Sequence, residues 1–305
     1  MMKMHLLAGV SGLVILGSSG FAFAEPATFD TPEAAVAAVI AAIEAKDRDA
    51  LLAVFGPENS DVVFSGDDEQ DRETWGGFIS EYRELNRIEA DTEGVAILHI
   101  GTDDWPFPAP IVQKDAKWSF DGAAAREEVA LRRLGLNELD VIDVLSAGVE
   151  VQQDYRLTDH DGDGVMEFAA SILSSPGARD GLYWPSEPGT PESPIGPNMA
   201  RANAEGYNFD GTDSEPDPYL GYYFRILQKQ GEAAPGGAYD YMIGGNMVAG
   251  YAFLAYPAVY GETGVTSFIV GENGIVYESD LGDNTLELGN AIMTFNPGEG
   301  WKPYE

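Results

Sequence analysis

Cysteine is absent from all 305 residues. That excludes a disulfide framework, a lipoprotein attachment and a cysteine–histidine engine. Histidine occurs only at His5, His99 and His160. A Ser-His-Asp triad is therefore poorly supplied, and zinc lacks its usual ligands. Cations are scarce as well, with 17 Lys+Arg against 51 Asp+Glu and a formal net charge of −34. Like charge repels phosphates and anionic membrane surfaces, so no nucleic acid partner is expected. Divalent cations and basic partners are attracted. After residue 24 no apolar run approaches the length of a membrane span.

What is present points to a folded, exported chain. Hydrophobic residues make up 44% and aromatics 11%, enough to build a core despite the charge. The length fits one large or two medium domains. Residues 1–24 run from Lys3 through an apolar stretch to Ala22-Phe23-Ala24. This reads as a signal peptide cleaved after Ala24. It predicts a periplasmic or extracellular protein with no stable membrane span after cleavage.

Two halves follow, residues 25–122 and 123–305. The first opens with "TPEAAVAAVIAAIEAKDRDALLAVF". Thr31 suits a helix cap and Pro32 the first helical position. Val36, Val39, Ile40 and Ile43 recur at helical spacing. Leu51, Leu52 and Phe55 form the buried side of a second helix, which Gly56-Pro57 ends. The acidic stretch "SGDDEQDRE" leads into a helix over "TWGGFISEYREL". "GVAILHI" reads as a strand and "PIVQKDAKWSFD" as a hairpin turning at "KDAK".

The second half starts with a helix that has a possible break at Gly135 and an apolar stripe of Leu139, Ile142, Leu145 and Val149. A loop-rich region follows over about 178–218. The end is strand-dense, with "GENG" at 271–274 turning a hairpin between "SFIV" and "IVYE".

Between them lies "DHDGDG", residues 159–164. Calcium takes hard oxygen ligands, and a calcium loop offers carboxylates at positions 1, 3 and 5 with a glycine at 6. Asp159, Asp161 and Asp163 fill those places, Gly164 the turn. Val165 offers a carbonyl and Glu167 a further carboxylate. Position 12 is Ala170 rather than glutamate, so the last ligand must come from elsewhere, with Glu167 or Asp180 available. The competing reading is a solvated acidic turn with Asx-type hydrogen bonds. Mutual repulsion of three close aspartates, which a cation relieves, favours calcium.

Asp103 and Asp104, followed by Trp105 and Phe107, offer a carboxylate pair with stacking faces. Pro106, Pro108 and Pro110 favour a rigid turn there instead. His99, in an apolar strand, reads as structural. No catalytic residue is assigned.

The opening helix pair followed by strands resembles the nuclear-transport-factor-2-like cone. "GYYFRI…YAFLAYPA…GVTSFIVGENGIVYESD" is similar to the C-terminal sheet of type IV pilins and pseudopilins. Across residues 28–303, "TDDWPFPAPIV", "LGLNELDVIDV", "DHDGDG", "RDGLYWP", "PGGAYDYMIGG" and "GVTSFIVGENGIVYESDLG" resemble an uncharacterised bacterial envelope family, domain of unknown function 2950. The resemblance implies secretion and no particular activity. The expectation is an α+β protein, NTF2-like then pilin-like, acting as a non-enzymatic binding or assembly protein of the cell envelope with structural Ca2+. Its partner would be an envelope protein or polymer. The alternatives are a periplasmic hydrolase using paired carboxylates and a pseudopilin-like component of a secretion or fibre apparatus.

Overall fold

The computed structural model describes residues 25–304 apart from 92, 187, 190 and 206–214. The predicted signal peptide and part of the predicted long loop lie outside the described residues. The chain is α+β: helices combined with sheets that are almost wholly antiparallel. It divides into two compact units, Met1–Val129 and Ala130–Glu305. Among the described residues no helix is long and apolar enough to cross a membrane.

In the first unit, helix Pro32–Ala45 starts where the sequence predicts. The Thr31 hydroxyl accepts the N–H of Ala34 at 3.2 Å, satisfying one of the unpaired donors of the first turn. Ala35, Val36, Val39, Ala42 and Ile43 form its buried stripe. Helix Arg48–Phe55 buries Leu51, Val54 and Phe55; Leu52 is only half-buried. Helix Asp68–Glu84 begins inside the acidic stretch rather than after it. Asp67 caps it, and Asp68, Glu69 and Asp71 fill its first turn, where the positive end of the helix dipole favours carboxylates.

These helices pack on an antiparallel sheet with strand order Asn86–Ala90, Val95–Ile100, Ile111–Lys114, Lys117–Phe120. The short strand Trp105–Pro106 pairs with Val95–Ile100. Ala96, Leu98 and Ile100 alternate inward and join Ile111 and Phe120 in the core. Burying an aliphatic side chain of this size contributes roughly 1.5–3 kcal/mol. Asp115 and Ala116 turn the predicted hairpin, both with positive φ, the geometry of a type I′ turn.

Helix Gly122–Tyr155 is continuous over 34 residues. The predicted break at Gly135 does not occur. A lone glycine costs about 1 kcal/mol against alanine, too little to end a helix of strong formers. Leu139, expected in the apolar stripe, is exposed, while Val141 and Leu145 are buried.

The second unit is organised by a five-stranded antiparallel meander. Its order is Lys302–Pro303, Val276–Asp280, Thr266–Gly271, Ala252–Pro257, Tyr222–Leu227. Val270 pairs with Val276 and Ile269 with Tyr277, as the "GENG" turn predicts. All six residues of Ala252–Pro257 are buried, because both faces of the sheet are covered. A Cβ on Gly148 of the long helix would lie 3.3 Å from the Phe253 ring, and one on Gly289 would lie 2.5 Å from the Tyr256 ring. Small residues at these two points let helices approach opposite-facing aromatics of one strand. The outer strand Tyr222–Leu227 is covered along part of its length: the Ala204 N–H donates to the Phe224 carbonyl and the Phe224 N–H to Ala202, both at 2.9 Å.

The candidate metal loop

The acidic loop begins four residues after the long helix ends at Tyr155. The Asp159 carboxylate closes it: Oδ1 accepts from Gly162 N–H at 2.7 Å and Oδ2 from Gly164 N–H at 2.9 Å. Gly162 and Gly164 both have positive φ, which side-chain-bearing residues rarely adopt. The two backbone donors hold the Asp159 carboxyl below the ordinary range. Asp161 Oδ1 accepts from Asp163 N–H at 3.2 Å, and Asp163 Oδ1 from Val165 N–H at 2.7 Å.

The loop therefore has the Asx hydrogen bonds expected of an acidic turn. It also brings oxygens of Asp159, Asp161 and Asp163 to within 4.8 Å of one another. Among the described residues this is the one cluster of metal-ligating side chains of that kind.

Glu167 stands beside this triplet. Its Oε2 accepts the Met247 N–H at 2.7 Å. Burial pushes its carboxyl above the ordinary range, against the pull of that N–H, and Asp161, Asp163 and Asp180 push the same way as burial. Asp180 turns its own carboxylate to Ser175, accepting from the backbone N–H and the hydroxyl at 2.7 Å each. Ala170, at the position a complete calcium loop gives to glutamate, donates its N–H to the Asp180 carbonyl at 2.9 Å.

His160 turns back toward the end of the long helix and does not join the aspartates. Its Nε2 lies 3.1 Å from the Tyr155 carbonyl, and its ring stacks on Tyr155 at 4.2 Å. Burial there holds the imidazole below its ordinary pKa. One loop neighbour has no counterpart in the sequence reading: Asn246 Nδ2 donates to Asp163 Oδ2 at 2.5 Å. Asn246 belongs to the short hairpin that pairs Met242–Ile243 with Asn246–Met247.

The structure gives the carboxylates of the Asp103–Asp104 pair different surroundings. Asp104 has positive φ and pairs with the Arg87 guanidinium, which holds its carboxyl below the ordinary range. Its carbonyl lies 3.0 Å from His99 Nδ1. Asp103 instead lines a cavity with Trp105 and Phe107.

A family model described as "Protein of unknown function (DUF2950)" matches residues 26–304. No curated protein and no solved structure matches the chain.

Proposed function

We propose that this chain, which belongs to the DUF2950 family, is an exported, non-enzymatic binding or assembly protein of the cell envelope. In this reading a structural calcium ion sits in the loop 159–167. The observation that carries the metal is the convergence of the Asp159, Asp161 and Asp163 oxygens within 4.8 Å. Val165 and Glu167 would complete the ligand set with a carbonyl and a carboxylate. Calcium would relieve the repulsion among these acids and couple metal binding to the stability of the surrounding fold. Export rests on residues 1–24, which read as a signal peptide.

The first unit is read as NTF2-like from its helices followed by an antiparallel sheet. The second is read as pilin-like from its long helix, loop and meander. The partner would be an envelope protein or polymer. The test is affinity capture of the mature protein from envelope extract with calcium or with chelator, alongside calorimetric titration of calcium. Calcium uptake and a specific calcium-dependent partner are expected. Absence of calcium binding, with melting indifferent to chelator, overturns the metal; capture of nothing overturns the binding role.

A further inference from the structure

The first unit holds a cavity of about 480 Å³ between its helices and its sheet, within the range of roughly 300–1,000 Å³ used for small-molecule sites. Its walls are mainly apolar: Val39, Ile43, Leu51, Phe55, Phe78 and Ile100 all line it. Trp105, 45% exposed, and the half-buried Phe107 add aromatic surface.

Two acids interrupt this lining, Glu81 and Asp103. Both are exposed. The Glu81 carboxylate lies over the backbone of Gly101, where an added Cβ would meet its Oε2 at 2.2 Å. Asp103 follows two residues later in the same turn. No ion pair engages either acid among the described residues, whereas Asp104 next to them is paired with Arg87. The cavity thus combines an apolar interior with two uncompensated negative charges, one from the helix Asp68–Glu84 and one from the turn after Ile100, on a chain of net charge −34.

We propose that this cavity binds a small amphiphile with an apolar body and a protonated amine. The body would fill the space among Val39, Ile43, Leu51 and Phe55. The ammonium would meet Glu81 and Asp103 as charge-assisted donor to acceptor, with aromatic faces at Trp105 and Phe107 beside it. A fatty carboxylate of the same length fits the apolar walls equally and is repelled by the two acids. This site lies in a different unit from the acidic loop and does not depend on calcium.

The test is calorimetric titration of the mature protein with octylamine, octanol and octanoate below their aggregation limits, with and without chelator. Octylamine is expected to bind at least about ten-fold more tightly than octanoate, equally in chelator. The double variant Glu81→Gln, Asp103→Asn, at two exposed positions, should lose that preference and still take octanol. Thr74→Trp places bulk at an exposed position of the lining without changing charge, and should abolish binding. Octanoate binding as tightly as octylamine overturns the proposal. So does octylamine binding that survives Thr74→Trp, which would be attraction to the acidic surface alone.

Discussion

Asn246 donates a side-chain hydrogen bond to Asp163 across 83 residues of sequence. In the absence of a cation it is a neutral donor that stabilises one of three crowded carboxylates. A bound ion would take over part of that role. Asn246→Ala should therefore lower stability by about 1 kcal/mol in chelator and by clearly less in saturating calcium. Urea denaturation under both conditions reads the difference. An equal loss in the two would separate Asn246 from any metal chemistry.

Glu167 gives the same question a pH dependence. Its carboxyl is held above the ordinary range by burial and by its acidic neighbours, so the folded protein binds that proton more tightly than the unfolded chain. The sign follows: its contribution is fully present below the unfolded value of about 4.3 and is lost as pH rises through the raised folded value. Glu167→Gln removes that loss. At pH 7 in chelator the variant should melt at or above the wild-type temperature, and its gain from calcium should be smaller. A variant that melts lower in chelator at pH 7 would contradict the assignment.

Asp71 acts with the opposite sign. Burial works against its charge, but the Ser65 N–H at 2.7 Å, the Ser65 hydroxyl at 2.8 Å and Arg48 Nη1 at 2.9 Å outweigh it. Its carboxyl lies below the ordinary range. The stabilisation is present above the unfolded value of about 3.9 and disappears as pH falls through the folded one. Asp71→Asn should cost roughly 1–3 kcal/mol at pH 7, the lower end reflecting solvent around the part-exposed Arg48. That cost should shrink as pH drops toward 2, followed by the fluorescence of the neighbouring Trp75.

Gly289 and Gly148 should differ in their response to a single methyl group. At Gly289 the added carbon meets Tyr256 at 2.5 Å, and at Gly148 it meets Phe253 at 3.3 Å. Gly289→Ala should destabilise by about 1–3 kcal/mol through overpacking. Gly148→Ala should cost less, since a few tenths of an ångström relieve the contact and alanine favours the helix. Thermal melts of the two variants rank them; Gly148→Ala as the more damaging would refute this packing.

Sequence reading recovered the features written in short range. Thr31-Pro32 marks its helix start, "KDAK" and "GENG" mark their hairpins, and the spacing of aspartates in "DHDGDG" marks a loop. It failed where distant chain decides. Leu139 and Leu145 both fit the helical stripe, and only tertiary packing exposes the first and buries the second. The strand Asn86–Ala90 is mostly exposed at the sheet edge and so lacks an apolar alternation to announce it. Nothing in "YYFRIL" marks Arg225 for burial, yet it is buried, with Nη1 donating to the Asn290 carbonyl at 2.8 Å. Asn246 and Met247 reach the acidic loop from another hairpin, and no local pattern predicts that meeting. The cavity is legible only in part: Asp103, Trp105 and Phe107 stand out as an acid with stacking faces, while Val39, Ile43, Leu51 and Phe55 read as ordinary core.

The cover over Tyr222–Leu227 affects how copies of this protein meet. Ala202 and Ala204 occupy backbone groups of Phe224 that a neighbouring strand would otherwise use. The opposite margin is the two-residue strand Lys302–Pro303, whose proline cannot donate a ladder bond. Little free backbone remains at either margin to template growth from one molecule to the next. This sheet would then be protected from edge-to-edge growth between crowded copies by the path of the chain itself, apart from the mutual repulsion of their charge.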